Sequence, residues 1–313
     1  MIVTVTLNPS VDRTLEIETL THGRVNRAAH THLDPGGKGV NVSRALVANG
    51  VDTRAILPCG GDEGDQLVRL LRGEGVRLTA VPIDGRTRSN VTLVEPDGTV
   101  TKINESGPEL AETELTVVAA TVRAAAEDAE WVVVSGTVPP GVTPEAFTEF
   151  CGELVSGGAK LAVDTSGEPL RAAARAGAAL VKPNRHELSD VTGVALDSVT
   201  DVVNAAETLR RWGAGSVLAS LGSKGAVLVD ADGVLIGEPP SVVTRSAVGA
   251  GDAMLAGFLA AGAAGAKALT EALAWGSAAA SLPGSRMPFP ADLNRHGVRI
   301  SPGDLTPLSH MDS

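Results

Sequence analysis

The chain has 313 residues, of which 43% are hydrophobic and 20% charged, and its formal net charge is -11. That length can bury a sizeable core. The acidic balance argues against a general nucleic-acid surface, so any local cluster of Lys or Arg becomes a candidate anion site. Aromatic residues make up 2% of the chain, which leaves core packing to Ala, Val and Leu. Cys59 and Cys151 have neither a zinc-ligand spacing nor a disulfide framework and read as buried free thiols. The apolar run 2–7 is short and lacks the basic flank of a signal peptide. The Ala/Gly-rich stretch after Gly251 is interrupted by Asp252, Lys267 and Glu271, so it reads as buried helices rather than a membrane span. A soluble cytoplasmic protein is expected.

Apolar β-branched runs alternate with helical patterns. Strands are expected at 2–7, 53–57, 131–135, 160–163, 179–182 and 216–220, and helices at 39–48, 64–72, 144–155, 168–175 and 202–212. This alternation predicts an α/β fold with a mainly parallel central sheet and helices on both faces. Two stretches break it. Residues 11–18 and 24–33 read as strands with no helix between them. Residues 89–95 and 99–104 form a hairpin around Pro96-Asp97-Gly98. These segments predict a small β-sheet lid of residues 11–35 and 87–104, outside a core of 1–10, 36–86 and 105–313. The tail after Arg299 is expected to be loose.

Several constellations could carry chemistry. Val248-Gly249-Ala250-Gly251-Asp252-Ala253 is a glycine-rich turn entering a small-residue helix. Free N–H groups and the dipole of a helix N-terminus favour an anion, and the Asp252 carboxylate beside it could accept a proton from an attacking hydroxyl. Gly36-Gly37-Lys38-Gly39-Val40-Asn41 is not a Walker A loop. It is either a flexible turn or a backbone surface for a sugar, with Asn41 offering an amide and Lys38 a point charge. Arg24, Arg27, Lys38 and Arg88 are scattered bases. Arg27 and Arg88 fall on the expected lid strands, where Arg forks could hold phosphate. Asp12 is a turn residue or a sugar-hydroxyl acceptor. Lys182-Pro183-Asn184-Arg185-His186-Glu187 reads either as a helix N-cap with its capping-box Glu or as a grip on hydrated Mg²⁺. Ser220, Gly222 and Gly225 sit in a loop after a strand, which is either a tight hairpin or a nucleotide-phosphate loop. His30 and His32 share a strand side without a visible third ligand.

Taken together, these elements resemble the ribokinase-like sugar kinase family, over nearly the whole chain and in the family's order. Thr6-Leu7-Asn8-Pro9-Ser10-Val11-Asp12 is similar to the branch that phosphorylates ketohexose phosphates. The 36–41 segment, Ser135-Gly136-Thr137-Val138-Pro139-Pro140-Gly141, Asp164-Thr165-Ser166-Gly167, Lys182-Pro183-Asn184-x-x-Glu187 and 247–252 match further family elements. Thr137-Val138 departs from the more usual Ser-Leu. The resemblance implies a three-layer sandwich with a β lid, ATP and Mg²⁺ as ligands, and a homodimer through the lid strands. It implies Asp252 as the base and Gly249, Ala250 and Gly251 as the anion hole. The sugar would meet Asp12, Gly36, Gly37, Asn41 and Ser135, and its phosphate Arg27, Lys38 and Arg88, with Asn90 and Glu105 nearby. Lys182, Asn184, Ser220, Gly222 and Gly225 would serve the nucleotide, and Asn184 and Glu187 would organise Mg²⁺ through water. Fructose 1-phosphate is the acceptor expected first, then tagatose 6-phosphate or fructose 6-phosphate. An NAD(P) oxidoreductase is the competing enzyme reading, but G-x-G-x-x-G is missing from the first strand–helix turn. A sugar-phosphate binding protein without turnover is the other.

Overall fold

A computed structural model of the protein describes residues 1–303. The chain runs β1 (Ile2–Val5), β2 (Ser10–Ile17), β3 (Ala28–Gly36), α1 (Lys38–Ala48), β4 (Thr53–Cys59), α2 (Gly61–Gly73), β5 (Leu78–Pro82), β6 (Arg88–Val94), β7 (Val100–Asn104) and α3 (Glu112–Ala126). It continues through β8 (Trp131–Ser135), α4 (Pro144–Ser156), β9 (Leu161–Asp164), α5 (Gly167–Arg175), β10 (Leu180–Val181), α6 (Arg185–Thr192), α7 (Val199–Trp212), β11 (Ser216–Ser220), β12 (Ala226–Asp230), β13 (Gly233–Glu238), α8 (Ala250–Ala260), α9 (Gly265–Ser281) and β14 (Arg299–Pro302).

The large sheet has the order β14-β13-β12-β11-β10-β9-β8-β1-β4-β5. It is parallel from β11 to β5, and β12, β13 and β14 extend it antiparallel. Successive side chains of a strand point to opposite faces, and both faces are covered here. Val3 and Val5 of β1 and Val132 and Val134 of β8 pack with α3, α4, α5 and α7. Ile2, Trp131 and Val133 pack instead with α1, α8 and α9. Burial on both faces is why these strands read as continuous apolar runs. The outcome is the expected three-layer α/β arrangement. Cys59 and Cys151 are buried and unpaired, and burial pushes both thiols up to about 12.

A second sheet has the order β3-β2-β6-β7, with β2 and β6 parallel and its other pairs antiparallel. The expected hairpin is present, with Val94 opposite Val100 and Gly98 at φ 89°. The strand expected at 24–33 is displaced to Ala28–Gly36. Residues 22–24 form a turn, with Gly23 at φ 71° and the Asn26 side chain bonding both the N–H and the carbonyl of Thr21, and residues 25–27 stay outside the ladder. β3 can carry Pro35 because it is the sheet's edge strand, where a missing N–H costs no ladder bond. The tail is also corrected in part. Residues 299–302 form β14 against β13 rather than a loose segment, and residues 304–313 lie outside the described residues. Among the described residues, no helix is long and apolar enough to cross a membrane.

Candidate active site

In an open α/β sheet, loops at the carboxyl ends of parallel strands gather into a ligand crevice. Here Asp164 ends β9, Lys182 follows β10 and Ser220 ends β11. All three line one cavity of about 1060 Å³, which side chains of the smaller sheet also line. Lys182 follows β10 closely because Pro183 cannot donate to a ladder. Ser135 ends β8 buried, with its hydroxyl lacking a partner.

Asp252 lies in the first turn of α8, whose N-cap is Gly249 at φ 77°. Gly249 has no side chain to cap the first turn; the Ala250 N–H donates to the Ala247 carbonyl at 3.4 Å, and the N–H groups of Gly251 and Asp252 are left to a ligand. Ala250, Gly251 and Asp252 line the cavity. A Cβ on Gly251 would stand 3.5 Å from the Lys182 ammonium, so that charge sits directly beside the helix N-terminus. The Lys182 ammonium pairs with Asp164 Oδ2 at 2.9 Å, and Lys38 pairs with Asp164 Oδ1 at 2.8 Å and with Glu187 Oε1 at 3.1 Å. Asn41 donates to Asp252 Oδ2 at 2.8 Å. Burial, reinforced by the Asp164 carboxylate, pushes Asp252 up to about 6. Asp164 is more deeply buried still, yet Lys182 and Lys38 hold it below the usual carboxylate range. Burial alone would depress Lys38, and Asp164 and Glu187 instead raise it above an ordinary lysine. Two neighbouring carboxylates thus have opposed proton affinities, one fixed as an anion and the other able to accept a proton near neutrality.

The smaller sheet contributes a polar row. Asp12, Asn90 and Asn104 are in register across β2, β6 and β7, and all line the cavity. Asn90 donates to Asp12 Oδ1 at 2.9 Å and to the Ser10 hydroxyl at 3.0 Å. Arg88 is anchored by the carbonyls of Asn8 at 2.9 Å and Glu105 at 3.1 Å, while its buried Nε lacks a partner. Burial lowers Arg88 from its ordinary value, against the pull of Asp12 and Glu105. Gly36 is behind this row, where a Cβ would come within 2.4 Å of the Asp12 carboxyl. Gly37 caps α1 at φ 119° and lines the cavity.

Asn184 and Glu187 do form the capping box. Asn184 Oδ1 accepts from the Glu187 N–H at 2.9 Å, and Glu187 Oε2 accepts from the Asn184 N–H at 2.8 Å. Glu187 Oε1 is the oxygen left for Lys38. No group of three or more acidic, His or Cys side chains gathers as a metal cluster among the described residues. Gly222, at φ 62° with open space where a Cβ would stand, lines the cavity beside Gly225. A Cβ on Gly225 would lie 1.9 Å from the Gly237 carbonyl.

Ser135, buried at the end of β8, and Gly36 and Glu187 are not among the residues lining this cavity, and one further candidate is displaced from its expected element. Arg27 precedes β3 instead of lying on a lid strand, and it is exposed and absent from this cavity's lining. Sequence reasoning also left Asp164, Lys102 and Asn104 without roles. Asp164 was visible only as part of a matching segment, since a single Asp at a strand end shows no chemistry until two lysines converge on it. Lys102 and Asn104 had the period-2 signal, two residues apart on one strand and so on one face.

The arrangement can bind anions at the α8 N-terminus and Lys182, accept a proton at Asp252, and hold a polyhydroxyl ligand on the Asp12 row. A sequence profile of the pfkB family carbohydrate kinases matches residues 5–285. The 1-phosphofructokinase of Escherichia coli strain K12 is 38% identical over 264 residues, covering 82% of this chain and 83% of its own. Phosphofructokinase-2 from Escherichia coli, in complex with potassium, superposes with a TM-score of 0.88 at 35% identity, over 93% of this chain and 96% of its own. Arabidopsis thaliana ribokinase, complexed with ribose and ATP, superposes with a TM-score of 0.73 at 22% identity, over 93% and 96%, a likeness of fold.

Proposed function

The chain belongs to the pfkB family of carbohydrate kinases, and from that membership we propose that it transfers the γ-phosphoryl group of ATP to the free primary hydroxyl of fructose 1-phosphate, yielding fructose 1,6-bisphosphate and ADP. The supporting observation is the pairing of Asp252 with the α8 N-terminus and Lys182, in a cavity that also contains Arg88 and the Asp12 row.

The acceptor sugar lies on Asp12, Asn90 and Asn41, with its existing phosphate toward Arg88, whose orphaned Nε is a donor awaiting an oxygen. Asp252 takes the hydroxyl proton. The alkoxide oxygen forms the new bond to γ-phosphorus as the bond to the bridging oxygen of ADP breaks. The N–H groups of the first α8 turn and the Lys182 ammonium stabilise charge on the transferring oxygens. ATP extends past Ser220, Gly222 and Gly225 toward the apolar end formed by Ala272 and Leu273. The donor set fits a magnesium ion that keeps its waters rather than one bound directly, because both Glu187 oxygens are already engaged, Oε2 by the Asn184 N–H and Oε1 by Lys38, and among the described residues no group of three or more acidic, His or Cys side chains forms a cage. Mg²⁺ would neutralise phosphate charge, with Glu187 and Asn184 reached through water. The smaller sheet serves as a lid that keeps water, a competing acceptor, from the γ-phosphoryl group.

The lid also supplies the basis for a homodimer. Both edge strands, β3 and β7, are open, and each edge carries exposed apolar side chains: Val100 and Ile103, on opposite faces of β7, are 52% and 58% exposed, and Val25 before β3 is 78% exposed.

A coupled ADP-release assay with MgATP tests the acceptor across fructose 1-phosphate, tagatose 6-phosphate, fructose 6-phosphate and free fructose. Fructose 1-phosphate should give the highest kcat/KM. A preference for the free sugar would remove the phosphate-binding role of Arg88, and ATP binding with no ADP release from any sugar would remove the kinase reading. Thermal shift with NAD in place of ATP covers the oxidoreductase alternative.

A further inference from the structure

Arg44 lies on α1, three residues after Asn41, with a side chain only 6% exposed. Its Nε and Nη2 donate to the two carboxylate oxygens of Glu74 at 2.6 and 2.9 Å. Its Nη1 donates to Asn41 Oδ1 at 3.2 Å and to the Ser285 carbonyl at 3.1 Å. The Asn41 amide nitrogen in turn donates to Asp252 Oδ2.

A guanidinium has donors only, and an ionised carboxylate has acceptors only. The primary amide held between them therefore has one satisfactory orientation, with oxygen toward Arg44 and nitrogen toward Asp252. A flipped amide would set NH₂ against guanidinium and carbonyl against carboxylate, leaving buried groups unpaired. The same guanidinium anchors the segment that carries Met287, whose Cε would be 2.8 Å from a Cβ on Gly249. It thus ties down both the amide that touches Asp252 and the packing behind the α8 N-cap.

We propose that Arg44 is a positioning residue for phosphoryl transfer. It locks the Asn41 amide so that one N–H holds the Asp252 carboxylate in place and the other is presented to the cavity. The inference deepens the reading of Asp252 as the base and rests on it. With Oδ1 committed to Arg44, Asn41 offers the cavity a donor, so the ligand atom it meets is an oxygen lone pair of a hydroxyl, carbonyl or ring ether.

The test is a cycle of Arg44→Met, Asn41→Ala and the double variant, assayed with fructose 1-phosphate and MgATP over a range of pH. Asp252 also faces Asp164, Lys182 and Lys38, none of which is altered. Arg44→Met should lower kcat roughly tenfold or more by misplacing the base, with KM for ATP held within about twofold. Losing the Asn41 donor destabilises the carboxylate, so the acid limb of the kcat profile should move up by about half a pH unit or more. In the Asn41→Ala background, Arg44→Met should change neither kcat nor the limb further. Additive effects in the two backgrounds would overturn the proposal, as would a lowered melting temperature with kcat and limb unmoved. Should the methionine variant fail to fold, Arg44→Lys keeps the charge for Glu74 but cannot hold Glu74 and Asn41 together. It should show the same upward shift, and a wild-type profile would overturn the proposal. Asp252→Asn separates the two readings. Full activity there removes the base itself, whereas an inactive Asp252→Asn beside wild-type Arg44 variants removes only the positioning role.

Discussion

Burial and the Asp164 carboxylate push Asp252 up to about 6, whereas the Asn41 hydrogen bond, Lys182 and Lys38 pull it back. A base must be deprotonated to act, so kcat should hold above that pH and fall as pH drops through about 6, which a pH–rate profile measures. The same raised value has a thermodynamic sign. The folded state binds the Asp252 proton more tightly than the unfolded chain, so ionisation destabilises the fold above about pH 6. Asp252→Asn should therefore melt above wild type at neutral pH, by on the order of 2 °C per kcal/mol relieved. The gap should shrink as pH falls from about 6 toward the ordinary aspartate value. Asp164 has the opposite dependence. Lys182→Met leaves a fully buried carboxylate with Lys38 as its remaining partner, and a loss of about 3–5 kcal/mol in denaturant unfolding is expected. At this scale Asp252, Lys38 and Asn41 were legible because each sits in a glycine-framed segment. Arg44 was not, because a lone Arg inside an apolar helix pattern reveals its partners only when Glu74 and Asn41 are placed beside it.

The junction into α8 combines two glycines that differ in what they tolerate. Gly249 takes φ 77° and has Met287 against the position of a Cβ, whereas a Cβ on Gly251 meets only ordinary contact with Lys182. Gly249→Ala should lose about 1–3 kcal/mol of stability through backbone strain and crowding. Gly251→Ala should leave the melting temperature nearly unchanged and raise KM for ATP, because its methyl group stands where phosphate approaches the first-turn N–H groups. Thermal melts and ATP titrations on the two variants separate strain from occlusion. The parallel strands were readable from their apolar runs. The hairpin of β12 and β13 is not legible in the sequence, because β12 is buried on both faces and shows no alternation, and the buried positions of β13, Val234 and Gly237, are three apart and follow no period of two. β14 is a strand because β13 pairs with it; its four residues include one apolar side chain, Ile300, and Pro302 is tolerated at the sheet's edge.

Across the whole molecule, a two-faced α/β core places Asp164, Lys182 and Ser220 at its strand ends and Asp252 at the start of α8, and the second sheet brings the Asp12 row to the same cavity. Ile103→Arg on the outer margin should convert a dimer to a monomer in light scattering, with the Asp12 row on the other face left intact. A wild-type monomer at micromolar concentration would remove the dimer. The arrangement of the two sheets was predictable from where alternation broke. Which way Arg27 would face was not, because Asn26 closes a turn that displaces β3 by several residues. The account as a whole is tested most directly by turnover of Asp252→Asn with MgATP and fructose 1-phosphate, with ATP binding verified in parallel. It predicts a fall in kcat on the order of 10²–10⁴-fold with ATP binding retained. Turnover within about threefold of wild type, well short of what a positioned base contributes, would contradict it.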